Sequence, residues 1–247
     1  KRHLERLPQT ELKRPPRVDK QINPIISVDS HGHDYSLIQL AIGCSIETLR
    51  DAALSDLAVR SLMNSGLGRL DALIAQAGSP IQSARAFVYN PGPDGRLVIE
   101  ARVSPTRVDD AWQRIFSMLI QMTRVPLSEA DFVRTARALS SQVTILNSHP
   151  STYAQHLGRL SQRWGNGLKA HSLWSEHLNR LKANDVRDWW RKVSHPSQFT
   201  ALITVPRKLQ PSEKALYGES LIQRAKRILN PPPEVEQTGV VDIQPGL

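Results

Sequence analysis

Three clusters of side chains in this sequence could do chemistry. His31-Gly32-His33-Asp34 sets two imidazoles and a carboxylate within four residues. A metal-binding string of the form H-x-H-x-D-H needs its Asp one residue later and a further His, so this cluster reads as a turn. His171 and His177, in the run His-Ser-Leu-Trp-Ser-Glu-His, flank Glu176. Six residues turn a helix by about 600°, which faces the two rings largely apart. The run therefore reads as a helix with exposed polar residues. Cys44 follows Gly43 at the end of an apolar run and reads as a small buried apolar residue rather than a nucleophile. As the single cysteine it excludes an intramolecular disulfide and a cysteine-based structural zinc site. No G-x-S-x-G elbow singles out a serine, and no P-loop or strand–helix–strand glycine fingerprint is present. Gly66 and Gly68 could cradle an anion, but a helix break explains them. Trp164, Trp174, Trp189 and Trp190, near Arg163, Arg187 and Arg191, could stack bases. Val186, Trp189, Trp190 and Val193 share one helical face, so packing explains them too.

These groups would be held by alternating strand and helix signals. Ile25 to Val28 and Ser36 to Ile42 are apolar runs around turn residues, and read as a hairpin. From Ile46 to about Ala77, Leu49, Ala53, Leu57, Leu62, Leu70, Leu73 and Ile74 form a helical stripe. The stretch 64–68 interrupts it, where two glycines cost about 2 kcal/mol of helix propensity and predict a kink or break. Ser83 to Tyr89 and Arg96 to Val103 flank a turn cluster at 90–95 and read as paired strands. In the second, Leu97, Ile99, Ala101 and Val103 alternate with Arg96, Glu100 and Arg102.

Helices dominate afterwards. Val108, Ala111, Trp112, Ile115, Leu119 and Met122 share a face. Ser128-x-x-Asp131 opens a helix carrying Phe132, Ala136, Leu139, Val143 and Leu146. Pro150 opens the next, through about Trp164. A loop then leads to a short helix at 184–193, a strand from Phe199 to Val205 stopped by Pro206, and a charged helix from about Ser212 to Leu229. The pattern is α+β, with hairpins packed under helices. Four prolines make 1–24 a linker or N-terminal arm. Residues 25–229 form the unit with its C-terminal helix, and 230–247 form a Pro-rich extended tail.

The wording of several segments resembles one family. Leu67 to Gln76, the hairpin ending Leu97 to Val103, the helix opening Leu127-Ser128-Glu129-Ala130-Asp131-Phe132, and Leu181 to Val186 before Trp189-Trp190 and the strand ending in Pro206 are similar to the homology unit of the insulinase-type (pitrilysin, M16) zinc peptidases. The resemblance covers about residues 22–206. It implies a mixed, largely antiparallel sheet covered by helices on one side, in units that pair into a clamshell around a peptide. In that family one unit bears H-x-x-E-H on its first long helix, where two imidazoles and a carboxylate reach one zinc and its water. The partner unit often lacks it.

Here the stretch 46–77 has no His, and its carboxylates Glu47, Asp51, Asp56 and Asp71 read as lacking partners. The resemblance thus implies a non-catalytic unit with no catalytic residue, no metal ligand and no cofactor in this chain, zinc being expected only in a catalytic partner unit. Partner units in some branches lend an Arg and a Tyr after the first helix. Arg69 is the corresponding candidate for substrate binding, although no Tyr follows within ten residues. The implied partners are a catalytic M16 unit, covalent or separate, and a peptide held along a sheet edge. The chain alone is expected to be inactive, and the resemblance favours a periplasmic or envelope setting.

Charge and length bound the alternatives. The chain has 247 residues, 32 Lys and Arg against 23 Asp and Glu, and a net charge of +9. No apolar run reaches the roughly 18 residues of a membrane span, and residues 1–20 are too polar for a signal peptide. The basicity suggests an adaptor for nucleic acid or an acidic surface as the alternative. However, residues 1–20 and 207–229 each carry +4, the tail carries −3, and the body 21–206 only +4. The charge therefore reads as linker and docking surface, which makes nucleic acid the weaker partner. A basic wall would favour acidic peptides. A scaffold that borrows the fold and binds no peptide is the third reading.

Overall fold

The computed structural model describes residues 25–64, 66–89, 94–194 and 199–206, with the side chains of 25–31, 146 and 147 excepted. The arm at 1–24, the charged C-terminal helix and the tail at 230–247 lie outside the described residues. The element order is β1 (Ile25–His31), β2 (Ser36–Gly43), α1 (Leu49–Leu62), α2 (Arg69–Ala75), β3 (Ile81–Tyr89) and β4 (Arg96–Val103). A short 3-10 turn, α3 (Val108–Arg124), α4 (Glu129–Asn147), α5 (Pro150–Trp164), α6 (Gly167–Arg180), α7 (Ala183–Val193) and β5 (Phe199–Pro206) follow.

The strands form one sheet in the order β1-β5-β2-β4-β3. β1 runs parallel to β5, and the other pairs are antiparallel. The sheet is thus mixed and largely antiparallel. Its apolar residues alternate onto one buried face: Ile38, Leu40 and Ile42, then Leu97, Ile99, Ala101 and Val103, then Phe199, Ala201, Ile203 and Val205. Helices cover that face. Trp112 and Phe116 of α3 meet in a tilted pair with centroids 4.5 Å apart, and Phe116 meets Phe199 of β5 at 5.8 Å. Trp112 is fully buried, and truncating such a side chain costs about 3–5 kcal/mol.

Two expectations need correction. β1 and β2 do not form a hairpin, because β5 lies between them, pairing Ser27 with Leu202 and Leu37 with Thr204. Skipping one strand means crossing about 9–10 Å, which the four residues 32–35 reach easily at about 3.3 Å each. Placed there, β5 is paired on both edges while its apolar face meets the helices. The second correction is the extent of α6: the helix read at His171 to His177 runs from Gly167 to Arg180 and takes up most of the stretch between α5 and α7. Asn166 caps it, its side chain accepting from Lys169 N–H at 3.0 Å. Ala170, Trp174 and Leu178, spaced by four, are buried.

The interrupted stripe at 46–77 is two helices. α1 opens with a capping box: Thr48 Oγ1 accepts from Asp51 N–H at 3.1 Å and Asp51 Oδ2 from Thr48 N–H at 3.0 Å. At its far end Asp71 Oδ2 accepts from Asn64 N–H at 2.7 Å and Gly68 N–H at 2.9 Å, which fastens α2 against the end of α1. Gly66 has φ of +92°. Gly68 is required by close approach instead: a Cβ there would lie 2.1 Å from Leu62 O. Gly68→Ala should therefore cost more than about 2 kcal/mol by overpacking, and Gly66→Ala only about 1 kcal/mol by left-handed backbone strain. Urea denaturation of the two variants checks the order, and equal losses would contradict the close approach.

Candidate functional site: a cleft beside the second helix

The first long helix, α1, is where the family resemblance would place zinc. The residues there do not fit it. α1 offers no imidazole, and the carboxylates of 46–77 are not unpartnered, as read, but committed to structure. Glu47 accepts from Ser45 Oγ at 2.8 Å, Asp51 and Asp71 cap helices, and Asp56 Oδ2 accepts from Trp174 Nε1 at 3.0 Å. Each cap holds its carboxylate in place through one oxygen, and with no imidazole on α1 to converge with it the helix lacks the donor set of the family's zinc motif. Among the described residues no group of three His, Cys, Asp or Glu side chains could hold a metal ion.

Arg69, the first residue of α2, stands at a cleft of about 240 Å³. Met118 and Met122 of α3, Leu127, and Val186 and Trp190 of α7 are among its lining, with Arg187. No tyrosine lines it among the described residues. Arg69 lies 3.9 Å from the Asp131 carboxylate at the start of α4, and Arg134 pairs with the same carboxylate. On the α7 side, Arg187 meets Asp188 at 2.8 Å and Arg191 reaches it at 3.8 Å. Arg191 Nε also donates to Thr123 O at 2.7 Å, which pins α7 to the end of α3. The Trp190 indole N–H is buried without a hydrogen-bond partner.

β3 ends the sheet on one side, and α1 and α2 both pack against it. Its register shifts between Ile81 and Ser83, a bulge of the kind that blunts an edge. Beyond it, Arg85 pairs with Glu100, holding that carboxyl below its ordinary range.

The remaining sequence candidates are placed as follows. His33 is exposed and stacks on Tyr35 with centroids 5.1 Å apart, while Arg102 lies 3.8 Å over the Tyr35 ring. The His31 side chain lies outside the described residues. Cys44 is buried, and burial pushes its thiol up to about 11, so it is unreactive near neutrality. Trp174, Trp189 and Trp190 are buried in the core, which leaves no faces for base stacking there. Arg163 lies 4.6 Å over the ring of Trp164, which is only partly buried.

His171 does not meet His177. It meets His156 of α5, Nδ1 to Nε2, at 3.2 Å, and its ring lies edge-on to Tyr153. The sequence does not show that pair because its members lie on different helices. Only the α5–α6 hairpin brings the two rings together.

No protein-family model matches this chain, and no curated protein sequence does. Solved structures do match. A protease from Helicobacter pylori superposes with TM-score 0.70 at 16% identity, covering 83% of this chain and 51% of that one. A peptidase M16 inactive domain from Pseudomonas fluorescens gives TM-score 0.66 at 12% identity, covering 76% and 45%. The periplasmic protease PqqL from Escherichia coli gives TM-score 0.61 at 12% identity, covering 75% and 21%. The chain thus has the fold of an M16-type peptidase unit. It spans about half the length of the first two of these structures.

The His156–His171 pair makes stability depend on pH. Burial holds both imidazoles below their ordinary range, and for His156 the neighbouring His171 and Arg159 add to it. The unfolded chain therefore takes up protons first. The folded state loses stability as pH falls below about 6.5 toward the depressed values, and keeps it at higher pH. Burial pushes the Asp56 carboxyl up to about 7, which adds stability over the same fall in pH. The loss due to the pair is therefore read as the difference between the parent chain and His156→Gln in denaturation at pH 7.5 and 5.5, the variant losing less. An unchanged slope would contradict the pair.

Proposed function

We propose that this chain is a zinc-free M16-like unit whose work is binding. It packs against a zinc-bearing unit, on the same polypeptide or another, and helps enclose a peptide substrate. One observation carries the reading: the fold is that of an M16 unit, yet its first long helix has no imidazole and spends its carboxylates on a cap and a tryptophan.

In this reading the chain alone is inactive and holds no cofactor, with zinc belonging to the catalytic partner. Arg69, at the mouth of the cleft, contacts the bound peptide. The outer edge of β3 beyond its bulge, from Ser83 to Tyr89, accepts an extended segment by main-chain hydrogen bonds, which tolerates many sequences. The partial coverage of the matched structures suits a unit that works beside another. The match to a periplasmic protease supports an envelope setting.

Affinity purification of the tagged chain from its native source, with mass spectrometry, tests this. The expected result is co-purification of a chain or covalent segment carrying H-x-x-E-H, whose peptide hydrolysis falls at least about tenfold when this unit is removed. Partner hydrolysis unchanged by its removal would contradict the reading. A charge reversal, Arg69→Glu, should raise the KM of that complex for peptide with less effect on kcat.

A further inference from the structure

We propose that the cleft between α2, α3 and α7 is an anchor site for one large apolar side chain flanked by carboxylates in a partner polypeptide. This deepens the peptide-binding reading, and rests on it for the part played by Arg69.

The floor sets the first half of the ligand. Met118, Met122, Leu127, Val186 and Trp190 give the cleft a mainly apolar lining, to which Gln121 adds one side-chain amide and Trp190 an unpaired indole N–H. The cleft holds about 240 Å³, and a cavity of about 150 Å³ already admits a benzene ring. One phenylalanine or leucine side chain therefore fits. Methionine side chains are unbranched and adjust to either shape. Val125, at the edge, is 62% exposed, so apolar surface continues from the floor to the rim.

The rim sets the second half. Two guanidiniums line the cleft, those of Arg69 and Arg187, and each shares its carboxylate with a second arginine: Arg69 shares Asp131 with Arg134, and Arg187 shares Asp188 with Arg191. The groups so paired leave two positive charges in excess, divided between the α4 side and the α7 side of the cleft. Arg69 holds its carboxylate only at 3.9 Å and is 45% exposed, so it can turn to a new acceptor at small cost. An arginine favours a carboxylate by a bidentate, charge-assisted pair. A neutral apolar segment would fill the floor and leave both excess charges facing it. An acidic segment without an anchor would find only exposed pairs, each contributing about 0–1 kcal/mol. Both features together select an acidic-flanked apolar residue.

The test uses the full chain and a labelled, end-capped pentapeptide, Asp-Glu-Phe-Glu-Asp, followed by fluorescence polarisation. The expected result is saturable binding. It should weaken at least about tenfold when the peptide's acids become Asn and Gln, and as much when its Phe becomes Ala. R69E combined with R187E should abolish it. Val125→Glu, at an exposed position that does not threaten the fold, should weaken it by about tenfold. No saturation up to about 1 mM would overturn the proposal, as would binding that ignores the Phe→Ala change. Deleting residues 230–247, which carry Glu234, Glu236 and Asp242 among valines, should leave the affinity unchanged. A gain on deletion would assign the cleft to that segment and overturn a partner in trans. The assay contains no catalytic partner. Its failure leaves the proposed role standing, and loss of co-purification leaves the anchor site standing.

Discussion

The fold depends on one pairing: β5, the last described element, enters the sheet between β1 and β2. Until it does, β2 lacks a neighbour on one edge and Phe199, Ala201, Ile203 and Val205 have no place. Once it does, the buried face is continuous from β4 to β5, and α3 can close over it through Trp112 and Phe116. α7, joined to β5 across residues 194–198, is drawn against α3 by the same closure and fastened by Arg191 to Thr123 O. The walls of the cleft therefore follow from a strand pairing of long sequence separation. Pairings of that kind form late, because loop closure must precede their gain.

The interactions that position the candidate site are caps. Asp71 ties Asn64 to Gly68 and so sets where α2 begins, which sets where Arg69 stands. Asp185 accepts from Lys182 N–H at 2.8 Å and meets Arg50 at 2.8 Å, joining the starts of α7 and α1. Capping contributes about 1 kcal/mol each, small beside the core, yet it decides the geometry of the rim. Asp51 and Asp56 of α1 are used in the same structural way, in a cap and in a hydrogen bond from Trp174. This helix is built for packing, with Ala53, Leu57, Ala58 and Leu62 fully buried.

Much of this was legible in the sequence, for identifiable reasons. The alternation in β4, the break at Gly66 and Gly68, Ser128 as a cap accepting from Asp131 N–H, and Pro150 at a helix start are local signals, and each is found in place. Arg69 was singled out by likeness alone, and the structure sets it at a cleft. The β1–β2 pairing was misread because a strand's pattern states which face is buried, not which strand is its neighbour. α6 reads as a helix only over His171 to His177, because the polar residues there dilute the stripe of Ala170, Trp174 and Leu178 that gives its full length. The carboxylates of 46–77 read as unpartnered because a cap's partner is a backbone N–H, which no residue letter records. The two sides of the cleft, about 120 residues apart in sequence, meet only through the sheet.

The central claim is that an M16 fold has here been given to binding without metal. Elemental analysis of the purified full chain, prepared in zinc-sufficient medium, tests it most directly when run beside a peptide-hydrolysis assay with and without chelator. The account predicts zinc far below one equivalent and no chelator-sensitive hydrolysis. One equivalent of zinc, with hydrolysis that chelator removes and zinc restores, would contradict it.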